Sequence, residues 1–240
     1  MSLRFREEIE MTVVEKKDRS DARKAFRFSV SGNEHVSIDR HIDTREILNI
    51  SGNHPADEHV LIRIADRRTF ALDLERKTDL GEKGEEVFRA FHADRVYRFT
   101  VDGRGFDWGN ASIDEDDLRG ICEIGEDQVF KLDREDRPDE FVNDGGEIQL
   151  GESGTERLRI VARPVVKVTV NGNPVNLPRG WMTGLEIKSA AIAQGVKIEL
   201  DFTLDEEPAG GGDTQIIGDD DRTFIEGCER FGAVDHHEDS

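Results

Sequence analysis

Three stretches of this chain open alike. They are Phe28-Ser29-Val30-Ser31-Gly32, Phe99-Thr100-Val101-Asp102-Gly103 and Val168-Thr169-Val170-Asn171-Gly172. Three stretches also close alike: Gly84-Glu85-Glu86-Val87-Phe88, Gly154-Thr155-Glu156-Arg157-Leu158 and Gly227-Cys228-Glu229-Arg230-Phe231. Between them Ile42, Ile113 and Met182 keep the spacing of the opening glycines, as do Ile47, Leu118 and Ile187. A period of about 70 residues, shared by several landmarks, means one supersecondary unit used three times. It constrains the fold before any single residue is considered.

Each unit reads the same way. The opening run alternates apolar and polar residues, the pattern of a half-buried strand. The glycine after it suits a tight turn into a second strand. A short helix follows. Asp43-Thr44-Arg45-Glu46 and Thr183-Gly184-Leu185-Glu186 resemble capping boxes, with a side-chain oxygen at the cap and an acid three residues on. Gly52, Gly125 and Gly195 are expected to end the three helices. Strand-like runs come next: Val60–Ile64, Val129–Leu132 and Val196–Leu200. A last strand spans Val87–Phe91, Leu158–Val161 or Phe231–Val234. One helix on one face of a mixed sheet is an α+β arrangement. The reading places units at 25–92, 95–162 and 165–234, with short connectors that restrict their orientation. Residues 1–24 form a charged N-terminal arm, and 235–240 a C-terminal tail. Pro208–Gly212 reads as an enlarged loop.

Composition sets limits on partners. Lys and Arg total 33 against 53 Asp and Glu, a formal net charge of −20. Phosphate binding needs a basic face, so nucleic acid is excluded as an expected partner. An anionic membrane surface is excluded for the same reason. No apolar run approaches the roughly 20 residues of a spanning helix. Leu, Ile, Val and Phe supply 63 of the 240 residues, enough to build a packed core. Two cysteines make no disulfide framework, which fits a reduced, cytoplasmic protein.

A strand-strand-helix-strand-strand unit of this length, repeated in tandem, resembles the ubiquitin-like β-grasp fold. More narrowly, the chain resembles the bacterial multiubiquitin family. The resemblance covers 25–234. It rests on the openings that end at Gly32, Gly103 and Gly172, the helix Glu46–Gly52 and the closing Gly-x-Glu-x-apolar motif. It implies a protein modifier or its precursor, not an enzyme, and no cofactor. The partners it implies are a ubiquitin-activating-like enzyme, a ubiquitin-conjugating-like enzyme, a JAB-type metallopeptidase and a target protein. The alternative is a non-covalent scaffold of β-grasp units that docks other proteins through strand edges or sheet faces.

A modifier of this kind needs a reachable C-terminal carboxylate. The chain closes with Gly232, Ala233, Val234, Asp235, His236, His237, Glu238, Asp239 and Ser240, with no terminal diglycine. Two routes stay open. The carboxylate of Ser240 could react, if Phe231 and Ala233 are the inward residues of the last strand and Asp235–Ser240 is a tail. Trimming by the peptidase to Gly232 would instead cut into that strand. Neither link between units, Ala93–Arg95 or Ala162–Pro164, contains a glycine pair that would favour release of a single unit.

The remaining chemistry-bearing residues have plainer readings. His236, His237, Glu238 and Asp239 lie side by side on a tail and make a poor metal site. Gly210–Gly212 lacks the Gly-Lys-Ser/Thr of a phosphate loop. Asp114–Asp117 sits at a helix start, where carboxylates favour the helix dipole. Cys122 reads as buried within the second helix. Trp108 and Trp181 read as core or edge packing residues. Charges such as Arg63, Asp66, Arg67 and Arg68 are expected on the outward sheet positions.

Overall fold

The computed structural model describes residues 25–81, 85–151, 155–208 and 213–235. The N-terminal arm, Gly84 and Gly154 of the closing motifs, the Gly210–Gly212 loop and His236–Ser240 lie outside these described residues. The first repeat runs β1 (Phe26–Val30), β2 (Asn33–Ser37), β3 (His41–Asp43), α1 (Thr44–Ile50), β4 (His59–Ala65), β5 (Arg68–Leu72), β6 (Lys77–Asp79) and β7 (Glu86–His92). The second runs β8 (Tyr97–Val101), β9 (Arg104–Trp108), β10 (Ser112–Asp114), α2 (Glu115–Cys122), β11 (Gln128–Asp133), β12 (Glu140–Phe141), β13 (Glu147–Gln149) and β14 (Glu156–Ala162). The third runs β15 (Val165–Val170), β16 (Asn173–Pro178), β17 (Gly180–Thr183), α3 (Gly184–Ala193), β18 (Thr203–Glu207), β19 (Gln215–Ile217), β20 (Arg222–Ile225) and β21 (Arg230–Val234). The architecture is mixed α+β, as the alternating and helical periods require.

The main strands form three five-stranded sheets, ordered β2-β1-β7-β4-β5, β9-β8-β14-β11-β12 and β16-β15-β21-β18-β19. The short strands pair separately, β3 with β6, β10 with β13 and β17 with β20. In the first and third repeats the opening and closing strands are parallel neighbours at the sheet centre, with Val30 opposite Phe88 and Val170 opposite Phe231. By Cα proximity the chain divides into two compact units. One is Met1–Phe99 with Arg104–Ala111, the other Thr100–Gly103 with Ser112–Ser240.

The alternation decides which residues enter the cores. Phe28, Val30, Ile47, Leu48, Leu61 and Phe88 pack together in the first repeat. Val168, Val170, Ile187, Ala191, Leu204 and Phe231 do so in the third. Phe99, Val101, Leu118, Phe130 and Leu158 are buried at the matching positions of the second. Each such large side chain contributes about 1.5–3 kcal/mol on leaving water.

The opening hairpins carry a feature that all three repeats share. Ser31, Asp102 and Asn171 have φ near 50°, and Gly32, Gly103 and Gly172 follow with positive φ, the two-residue turn suited to strand twist. The backbone N–H of each polar residue donates to the closing strand, to the carbonyl of Phe88, Leu158 or Phe231. Its side chain accepts the N–H two residues further on, from Ala90, Ile160 or Ala233. The dipeptide that turns the first hairpin therefore also fastens the last strand.

Two helices follow the sequence reading at both ends. Thr183 and Glu186 form a complete capping box, and Asp43 accepts from the Glu46 N–H. Gly52 and Gly195 take the left-handed conformation just past their helices. The second helix differs. Glu123, not Gly125, adopts the left-handed conformation. The Gly125 carbonyl instead accepts from Arg119, whose guanidinium also pairs with buried Glu115 at 2.6 Å.

Val196–Leu200 is not a strand. Val196 and Ile198 are buried, so their alternation reports burial in an irregular loop and not ladder pairing. Lys188 of α3 holds this loop. Its buried ammonium donates to the carbonyls of Leu200 and Phe202 and pairs with Asp219 at 2.7 Å. The strand of this repeat is β18, which pairs with β19. Arg63 also departs from expectation. It shares the side of β4 that faces buried Glu86 and binds that carboxylate through two bonds, at 2.7 and 3.0 Å.

Within the first compact unit, the β9 arm lies against the first repeat. Thr69 Oγ1 donates to the Asp107 carbonyl and accepts the Asp107 N–H, while the Ala71 N–H donates to Asp107 Oδ2. Arg68 donates to the Gly105 carbonyl. Trp108 meets Phe91 edge-on at 4.8 Å. Gly109 passes so near Phe91 that a Cβ there would overlap its ring. Trp108 is buried, in keeping with a packing role.

Within the second unit, Arg163 organises the passage from β14 to β15. Its guanidinium binds Asp144 through two bonds, at 2.7 and 2.9 Å, and donates to the carbonyls of Glu126 and Arg179. Its backbone N–H donates to the Asp127 carbonyl. Arg179 donates to Asn143 and lies over the rings of Phe141 and Phe224. Trp181 Nε1 donates to the Asp144 carbonyl. A passage with so many directed bonds has a defined geometry.

Candidate functional site at the C-terminal strand

The sequence directs attention to Gly232, Ala233, Val234 and Asp235, which are described, and to His236, His237, Glu238, Asp239 and Ser240, which lie outside the described residues. Phe231 and Ala233 are buried and Arg230 and Val234 exposed, the alternation of a strand with one face on the core. β21 lies between β15 and β18. On the β18 side Leu204 stands opposite Ala233 and Thr203 opposite Val234. On the β15 side Asn171 Nδ2 donates to the Ala233 carbonyl and Oδ1 accepts its N–H, both at 2.8 Å. The paired strand ends at Val234, and Asp235 is the first residue beyond it.

Gly232 sits inside this ladder. It stands opposite Asp205, and a Cβ there would lie 2.6 Å from the Asp205 carboxylate. The glycine thus has a packing reason of its own, close approach to a neighbouring side chain. A chain ending at Gly232 lacks Ala233, its burial and both Asn171 bonds.

The two internal passages differ from this end. Ala93 donates its N–H to the Glu58 carbonyl just after β7, and Arg163 is fastened as described. Next to Arg163 lies a cleft of about 780 Å³ whose walls include Glu115, Arg119, Asp144, Arg179 and Trp181. Arg119 is paired with Glu115, and Arg163 with Asp144. Hydrogen bonding to Asp144 holds the Arg163 guanidinium above its ordinary pKa.

Asn171, Asp102 and Ser31 are the residues that sequence reasoning missed. They stand in plain view before each turn glycine, but a turn residue and a strand clamp look the same in sequence. Arg163 and Asp144 gave no signal, because they are far apart in sequence and share no motif. Among the described residues no group of three or more His, Cys, Asp or Glu side chains is placed to hold a metal ion. Among them, too, no helix is long and apolar enough to cross a membrane. Compared with known proteins, the chain matches no family profile and no curated protein sequence.

Proposed function

We propose that the chain is a ubiquitin-like protein modifier, or the precursor of one, built of three β-grasp units. It is activated at its C-terminus by an adenylating enzyme, passed to a conjugating enzyme as a thioester and attached to a target. The observation that carries this reading is the sheet order. A β-grasp unit needs its first and last strands side by side and parallel, with one helix between the second and third main strands. The first and third repeats have that order and that parallel pair. Fold alone does not define function, and the end of β21 adds the local support. The strand stops at Val234 and the residues after it are the ones that would enter an enzyme channel.

Of the two routes to a reactive end, the geometry favours the untrimmed tail, because Gly232 is held within the ladder. The alternative, a non-covalent scaffold, draws support from the same placement of Gly232 within the ladder, since no glycine pair is presented. Intact mass separates them. The full chain is co-expressed with an activating enzyme, a conjugating enzyme and a JAB-type metallopeptidase taken from its own genomic neighbourhood. The modifier gives a heavier adduct that disappears when residues 235–240 are deleted. A mass that stays that of the free chain, with no thioester on either enzyme, supports the scaffold.

A further inference from the structure

The two internal contacts use equivalent faces. In the first unit, the side of β4 and β7 away from the core carries Val60 opposite Phe91 and Ile62 opposite Arg89. Trp108 of the next hairpin packs on Phe91, and Ile62 is wholly buried. In the second unit, the same side of β11 and β14 carries Val129 opposite Val161 and Lys131 opposite Arg159, with Phe141 beside Lys131. Arg179, just after β16, lies over Phe141. Each time, the end of an opening hairpin sits on the outward sheet face of the repeat before it.

The third repeat has the same outward positions. Val234 stands opposite Thr203, and Ile216 opposite Asp205. Val234 is 57 % exposed and Ile216 68 %. The first repeat has the matching hairpin. Val36 and Ile38 occupy the positions of Asp107 and Gly109, one repeat earlier, and are 52 % and 58 % exposed. Single exposed apolar residues are ordinary. These two pairs are distinguished by position: Ile216 and Val234 match Phe141 and Phe91, and Val36 and Ile38 match Asp107 and Gly109, which meet the first repeat at Thr69 and Phe91.

We propose that a second copy of this chain covers them. The first-repeat hairpin of one chain, through Val36 and Ile38, seats on the outward face of the third repeat of another, at Ile216 and Val234. The contact continues the pattern of the internal ones. It joins two different surfaces, so it is heterologous and adds chains head to tail. The net charge of −20 opposes it, and added salt strengthens it by screening.

Sedimentation velocity on the full chain tests this. The wild type is expected to show a mass that rises with concentration and with salt. Val36→Asp/Ile38→Asp and Ile216→Asp/Val234→Asp double variants, each alone, are expected to be single chains with unchanged circular dichroism. Mixed, they have one working surface of each kind and are expected to stop at a 1:1 pair. A wild type that stays a single chain at every concentration overturns the proposal. So does either variant pairing with itself, which would mean a two-fold contact, or a mixture that does not pair. Serine versions of both variants must behave as the aspartate ones, and a loss of assembly confined to aspartate also overturns it.

Discussion

Asn171 holds Ala233 by both ends of its amide, donating to the carbonyl and accepting from the N–H at 2.8 Å each. One side chain thus ties the opening turn of the third repeat to its closing strand. Asn171→Gly keeps the left-handed turn and removes only these bonds, which should cost about 1–2 kcal/mol. Asn171→Ala loses the same bonds and keeps a Cβ at φ 48° without the amide that lets asparagine tolerate that conformation, so it should cost more than the glycine variant, about 2–3 kcal/mol. Urea unfolding of both variants, with amide exchange at Ala233, measures the difference.

A chain ending at Gly232 should be less stable than one ending at Asp235. Loss of the buried Ala233 methyl and of the Asn171 bonds predicts about 2–4 kcal/mol. Thermal melts of the two truncations check this. Equal melting temperatures would remove the structural objection to trimming at Gly232.

Arg163 and Asp144 are a partly buried ion pair with further carbonyl acceptors. Arg163→Met leaves the Asp144 carboxylate only the longer ion pair with Arg119, at 3.6 Å, and should destabilise by about 1–3 kcal/mol. Adding Asp144→Asn should cost less than the sum of the two single changes, because the partners share one interaction. A broad-specificity protease should also cut near 162–164 faster in Arg163→Met than in the parent.

Gly109→Ala drives a methyl into the Phe91 ring. Overpacking of this kind costs about 1–3 kcal/mol. Phe91→Ala in the same chain makes room for that methyl. The double variant should therefore lose less than the two single losses combined, measured by urea midpoint.

Acid should act through Asp79. Two bonds from Arg40, with the Gly81 N–H, lower its pKa from 3.8 to about 2. The unfolded chain takes up this proton first as pH falls, so the contribution is complete above about pH 4 and fades towards pH 2. Asp79→Asn should therefore destabilise most at neutral pH, and wild type and variant should converge near pH 2. Carboxyl titration by NMR places the Asp79 midpoint directly.

The repeat, the helix starts and the inward residues of the closing strands were legible because each follows from a local period. Phe231 and Ala233 face inward as their spacing requires. The failures come where a period has more than one cause. Val196 and Ile198 alternate like a strand, yet they are buried beside a helix that Lys188 anchors to the loop. Arg63 looks like a surface charge until Glu86, on a different strand, is seen beside it. Gly125 looks like a helix end, but Arg119 claims its carbonyl and Glu123 makes the turn. Of the candidate site, the strand and its inward residues could be read. The Asn171 clamp could not, because nothing local distinguishes a residue that turns a hairpin from one that also reaches the far end of its repeat.

The parallel pairing of first and last strands has a consequence for synthesis. A ribosome makes β1 early and β7 last, so the centre of the sheet lacks a strand until the whole repeat has been delivered. Through that interval Phe28 and Val30 have no Phe88 to pack on, and the Ser31 hydroxyl has no Ala90 N–H to receive. If the other strands assemble before β7 is delivered, the nascent repeat has an open, apolar slot at its middle, which a chaperone or a neighbouring nascent repeat can enter.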